Sequence, residues 1–189
     1  MALFGPTVAA ARLVSACAML CLCAGMFQFC RRHGHARAGC YASVGLASSV
    51  PVALISHTVL FDPLLTALIG GCLLSFLHYQ LTGERSAYRL SSFLVALAVL
   101  EKGAVALVLV GGIAGLFLLT GRSGRSAHGW RALADPGALA IFFCTTVSWH
   151  VAASWMQEGF SWFYFVNEHL LRFLGKREPY DYHSGPIYY

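Results

Sequence analysis

Ten residues of this 189-residue sequence carry side chains that exchange protons or hold anions and that stand beside long apolar runs. They are His57, Asp62, Glu101, Lys102, Glu158, Glu168, His169, Arg172, Lys176 and Arg177. Carboxylates and imidazoles accept or donate protons. Lys and Arg hold carboxylates and phosphates, Arg with two hydrogen bonds at once. Such groups in or beside a membrane are functional by default, because keeping them there costs free energy. The clearest local pattern is FVNEHLLRFLGK at 165–176. Val166, Leu170 and Phe173 follow helical spacing, while Glu168, Arg172 and Lys176 form a stripe at intervals of four, flanked by His169. This predicts a short amphipathic helix in a membrane interface, its charged side toward water or a cavity. Glu168 and Arg172 also satisfy a plain i,i+4 ion pair, worth about a few tenths of a kcal/mol.

The elements that must position these groups are apolar. The chain is 58% hydrophobic and 11% charged, with a mean hydropathy of +0.65. A soluble domain carries about 25% charged residues, and a disordered chain is polar and poor in aromatics, so both classes are disfavoured. A span needs about 20 apolar residues, which leaves room for about five to six membrane segments. Apolar runs lie at 7–30, 41–56, 64–81, 90–120 and 137–154, and the fourth is interrupted by Glu101-Lys102. The fold expected is an all-α polytopic bundle over residues 1–154. Residues 155–189 then begin an extracytoplasmic loop, and 11 of them are aromatic.

Three connectors hold eight Arg: Arg31, Arg32 and Arg37; Arg85 and Arg89; Arg122, Arg125 and Arg131. Basic loops face the cytoplasm. If all three do, His57–Asp62 is the outer turn of one hairpin and Glu101-Lys102 that of the next. A single long helix over 90–120 would instead bury both charges at mid-membrane, at a cost of several kcal/mol. The arm before Glu101 is short, so residues 83–89 are expected to extend it. The same parity puts Met1 outside, so at least one upstream span and its outer loop are expected. All ten chemistry-bearing residues then collect at one outer boundary.

Other patterns carry little. The seven Cys read as small buried hydrophobes. His33-x-His35 alone is a weak metal signal, and GRSGRS at 121–126 lacks the Lys-Ser/Thr of a phosphate loop. Gly70-Gly71 and Gly111-x-x-x-Gly115 are expected to permit close helix packing. The positive charge is explained by the connectors, so no nucleic-acid partner is expected. A transporter would keep its charges near the midplane at broken helices, and a non-catalytic membrane subunit would need no Glu-His-x-x-Arg cluster. These two remain the alternatives.

One resemblance is specific. Phe165-Val-Asn-Glu-His-Leu-Leu-Arg-Phe173 followed by His183-Ser-Gly-Pro-Ile-Tyr-Tyr189 resembles the polyprenyl-phosphate-sugar-dependent membrane glycosyltransferases of GT-C fold. That family includes the aminoarabinose transferases acting on lipid A and relatives of the protein O-mannosyltransferases. Leu60-Phe-Asp-Pro-Leu-Leu-Thr66 and Leu100-Glu-Lys-Gly-Ala-Val-Ala-Leu107 resemble two of its outer turns. The chain departs from the pattern at Asn167, where a second acid is common, at Ala104 in place of Pro, and at Ile187 in place of an aromatic.

The resemblance implies an integral-membrane enzyme of the cell envelope, in a bacterial inner membrane, with its site facing the periplasm. It would move a sugar from a polyprenyl-phosphate donor to a lipid or protein acceptor. It implies Lys102 and Arg172 as cations for the leaving phosphate, with His169, His183 and Tyr188 as further donor-binding groups. Asp62 and Glu168 would be the catalytic carboxylates here, supporting ones beside a main carboxylate in the family's first outer loop. The first acidic residue of this sequence is Asp62, so that loop has no counterpart and the 189 residues alone are expected to be inactive. Relatives also imply a divalent cation on Glu168 and His169. Membrane lipids are the remaining expected partners.

Overall fold

The computed structural model describes residues 8–50, 52, 62–120 and 134–176. Among these every regular element is helical: α1 (Val8–Arg32), α2 (Ala36–Ala47), α3 (Asp62–Thr82), α4 (Arg85–Lys102), α5 (Ala104–Thr120), α6 (Pro136–Met156) and a π-helix over Trp162–Leu171. Arg12–Arg32, Asp62–Thr82 and Pro136–Met156 are long and apolar enough to cross a membrane, and Ala104–Thr120 is a shorter apolar helix. The all-α membrane bundle expected from the runs of Leu, Val, Ala and Phe is therefore present. The chain forms two compact units, Met1–Thr145 and Thr146–Tyr189, with the boundary inside α6.

In the first unit α1 packs on α2 and α3, α3 on α4, and α5 on both α3 and α4. The connector expected at 31–40 is shorter than its charge suggested. Only His33–His35 separate α1 from α2, because Ala36, Arg37 and Ala38 are good helix formers. Gly39 is buried at this crossing. A Cβ there would stand 2.6 Å from the Cβ of Cys30 and 3.2 Å from the Phe27 carbonyl, so only glycine lets the two backbones approach. Gly70 lies at the α1–α3 contact, where a Cβ would stand 2.5 Å from Leu22 Cδ1, the movable end of a side chain. Among the described residues nothing lies within 4 Å of a Cβ built on Gly111 or Gly115. Their helix, α5, instead turns Val108, Leu116 and Leu119 outward, a surface that requires lipid or further protein.

Residues 90–120 form a hairpin. α4 ends at Lys102, and Gly103 (φ 70°, ψ −147°) is the whole turn before α5 begins at Ala104. α5 then runs back beside α3, since Ala106 clusters with Leu65, Ala98 and Val99 while Phe117 meets Phe76 edge-on at 6.0 Å. The short arm is lengthened from Arg85, where α4 begins, and not from 83, since Gly83 takes φ 76° and Glu84 is extended. At that end Asp135 accepts from the Ala138 backbone N–H (2.9 Å) and from Arg89 Nε (3.3 Å), which caps and anchors the start of α6.

In the second unit the segment expected as an α-helix from 165 starts earlier and is wound differently. Trp162–Leu171 is π-helical, with i→i+5 bonds, and Gly175 (φ 67°) ends the helical path. Phe165, Leu170 and Phe173 are exposed, and Asn167 is fully buried.

Candidate functional site

Two groups of polar side chains correspond to the residues that the sequence singles out. The first stands where α3 begins and α4 ends. Asp62 is the first residue of α3, and its carboxylate is paired with the Lys102 ammonium, 40 residues along the chain. Both side chains are about half exposed, at 46% and 49%. The carboxylate oxygens of Glu101 are buried beside the Leu65 backbone in the first turn of α3. A half-exposed ion pair is worth roughly 0–1 kcal/mol, so an incoming anion can displace Asp62 from Lys102 at small cost. The displaced carboxylate is then placed to accept a proton.

The second group lies on the π-helix. Arg172 Nη1 donates to Glu168 Oε2 at 3.2 Å, so these two residues do form the i,i+4 pair. Glu168 is the sheltered partner at 20% exposure, while Arg172 projects at 59%. His169 Nδ1 donates to the Tyr164 carbonyl at 2.6 Å, which sets its tautomer and leaves the ring lone pair on Nε2. Its ring also lies 4.8 Å from that of Tyr164, and burial pushes the Tyr164 phenol above its ordinary range.

Below this helix sits a residue that sequence reasoning missed. His150 Nδ1 donates to the Thr146 carbonyl at 2.7 Å, and the ring packs 4.8 Å from Tyr164 and 5.5 Å from Phe165. Its signal was a lone imidazole within an apolar run. Its packing makes it the support on which the π-helix rests.

Asp62 and Lys102 thus meet in one unit, and Glu168, His169 and Arg172 share a turn of the other. His57, Arg177, His183 and Tyr188 lie outside the described residues. No group of three or more His, Cys, Asp or Glu side chains among the described residues could hold a metal. Glu168 and His169 supply two ligands, fewer than a closed site requires, so the described residues do not form a metal site by themselves.

Residues 1–165 match the model of the dolichyl-phosphate-mannose-protein mannosyltransferase family. The chain belongs to this family. Its fold is similar to the crystal structure of ArnT from Cupriavidus metallidurans in the apo state, with a TM-score of 0.73 and 24% identity. The match covers 84% of this chain and 30% of that one, so the chain spans under a third of that relative. No curated protein matches. With its apolar helices, family membership makes the chain an integral membrane protein of GT-C fold.

Proposed function

We propose that this chain is part of a membrane glycosyltransferase that moves a sugar from a polyprenyl-phosphate donor to a lipid or protein acceptor at the extracytoplasmic face. The observation that carries the reading is the Asp62–Lys102 pair at the tip of a membrane hairpin, an exchangeable cation where a lipid phosphate would arrive. Departure of the phosphate leaves negative charge on its oxygens, and fixed cations at that point lower the barrier. Lys102 and Arg172 are proposed for this task. Arg172 suits it because a guanidinium can hold two phosphate oxygens. Asp62 and Glu168 act as supporting carboxylates that orient the acceptor or take its proton. His169, its tautomer set by the Tyr164 carbonyl, donates to phosphate when protonated. His183 and Tyr188 complete the donor contacts.

The similarity to ArnT supports the finer assignment to a bacterial inner membrane, with the site toward the periplasm and an acceptor such as lipid A. The 189 residues alone are proposed to be inactive. The test uses the full-length protein in a radiolabelled lipid-donor assay. Lys102→Ala and Arg172→Ala should each lower transfer by about 10²–10³-fold, the scale for one electrostatic contact to a developing charge, while the protein still inserts. Full transfer by both variants defeats the proposal and leaves a transport or scaffolding role.

A further inference from the structure

Toward the end of α3 opposite Asp62, its lining residues Gly71 to His78 lying about 14–24 Å along the helix from Asp62, is a groove of about 420 Å³ between α1, α3 and α4. This is within the range of small-molecule sites, about 300–1,000 Å³. Its polarity changes along the helix axes. Gly71, Leu74, Leu90 and Leu94 line one part, Gln28 and Ser75 stand between, and Arg32, His78, Glu84 and Ser86 line the mouth. The change from apolar to charged takes about two helical turns, or roughly 11 Å.

The mouth is a built structure. Ser86 Oγ donates to Glu84 Oε1 at 2.6 Å, and His78 Nε2 donates to Glu84 Oε2 at 3.1 Å. His78 Nδ1 then accepts from His33 Nε2 at 3.0 Å, which ties the α1–α2 connector to the α3–α4 connector. These bonds hold Glu84 below the ordinary carboxylate range, Ser86 contributing most and His78 next, with the Arg32 charge adding to them. A carboxylate has about four acceptor positions, so Glu84 can still receive a further donor.

We propose that this groove binds one phospholipid with a zwitterionic, primary-ammonium headgroup of the phosphatidylethanolamine kind. The phosphate lies on Arg32, the ammonium on Glu84, and an acyl chain over Leu74, Leu90 and Leu94. One cation and one anion at the mouth match one anion and one cation in the headgroup. A purely anionic headgroup leaves Glu84 facing negative charge, and a choline group has no N–H to donate to it. The apolar depth requires a tail, which a soluble zwitterion lacks.

The test places the protein in nanodiscs with a photoactivatable phosphatidylethanolamine carrying a diazirine on its acyl chain, and maps the label by peptide mass spectrometry. Label is expected over 71–78 and 87–94, competed by unlabelled phosphatidylethanolamine and not by phosphatidylcholine. Glu84→Gln should lower it roughly fivefold, the scale of one charged contact at an exposed mouth, while labelling by a photoactivatable phosphatidylglycerol, weak in the unaltered protein, should rise because no carboxylate then faces its charge. That opposite change separates a lost contact from a lost fold. Arg32→Ala should lower labelling by both lipids. Equal competition by phosphatidylcholine, label no denser in the groove than on the outward face of α5, or a Glu84→Gln variant that treats both lipids alike would each overturn the proposal.

Discussion

The Asp62–Lys102 pair is half-exposed and easily exchanged, and that governs how substitutions there should act. Asp62 both occupies Lys102 and serves as a proposed proton acceptor. Asp62→Asn should therefore tighten donor binding by freeing the cation while slowing the chemical step. In steady-state kinetics of the full-length protein, KM for the lipid donor should fall and kcat should drop, by less than the roughly 10²–10⁴-fold typical of a sole general base. Acid should act elsewhere, at the His33–His78–Glu84 chain. Burial, followed by the charges of His78 and His35, depresses the His33 pKa, so the folded state prefers a neutral ring. Glu84 is depressed by its hydrogen bonds, so the folded state prefers its anion. Both preferences stabilise the junction above the unfolded-state pKa values. The His33 contribution is lost first as pH falls through and below the ordinary histidine range, about 6.5, and the Glu84 contribution later, below the ordinary carboxylate range. The protection factors of the Gly34 and Gly83 amides, corrected for the slower intrinsic exchange in acid, should fall stepwise on acidification, and Glu84→Gln should remove the second step.

At the scale of elements, two glycines set the geometry. Gly103 holds φ 70° and ψ −147°, a region strained for any residue with a Cβ. Gly103→Ala should cost about 1–3 kcal/mol, read as a lower midpoint of thermal unfolding in detergent, and should disturb Lys102 next to it. Gly39→Val forces a branched side chain into the α1–α2 crossing, where even a Cβ sits 2.6 Å from Cys30. About 1–3 kcal/mol of overpacking follows, and exchange should rise throughout α2. The hairpin at Gly103 was legible in the sequence because Glu101 and Lys102 interrupt an apolar run that would otherwise bury them. The π winding over Trp162–Leu171 was not, because i→i+5 bonding shares the residue preferences of an α-helix. The tight packing expected at Gly111 and Gly115 finds no partner among the described residues, since small residues permit an approach without supplying the partner.

For the whole molecule, the decisive property is sidedness. Single cysteines at 62, 102 and 169, introduced into a cysteine-free background of the full-length protein, should react with a membrane-impermeant thiol reagent from the outer side only. Labelling from the cytoplasm would remove the proposed orientation. The bundle and its family were legible from apolar runs and a short tail motif. The contacts that join distant segments were not. His33 and His78 are 45 residues apart, and neither stands in a pattern that names the other. The support under the π-helix was equally hidden, because His150 is recognisable only once Tyr164 and Phe165 are folded against it.

The one-residue turn at Gly103 has a mechanical consequence. α4 and α5 contain 18 and 17 residues, or roughly 27 and 26 Å of helix, less than a hydrocarbon layer of about 30 Å. With no slack in the loop, the ammonium at its crest cannot float upward to follow a thicker leaflet. Bilayers of long-chain lipids should therefore submerge it or pucker around it, and sugar transfer in reconstituted vesicles should decline as acyl length grows.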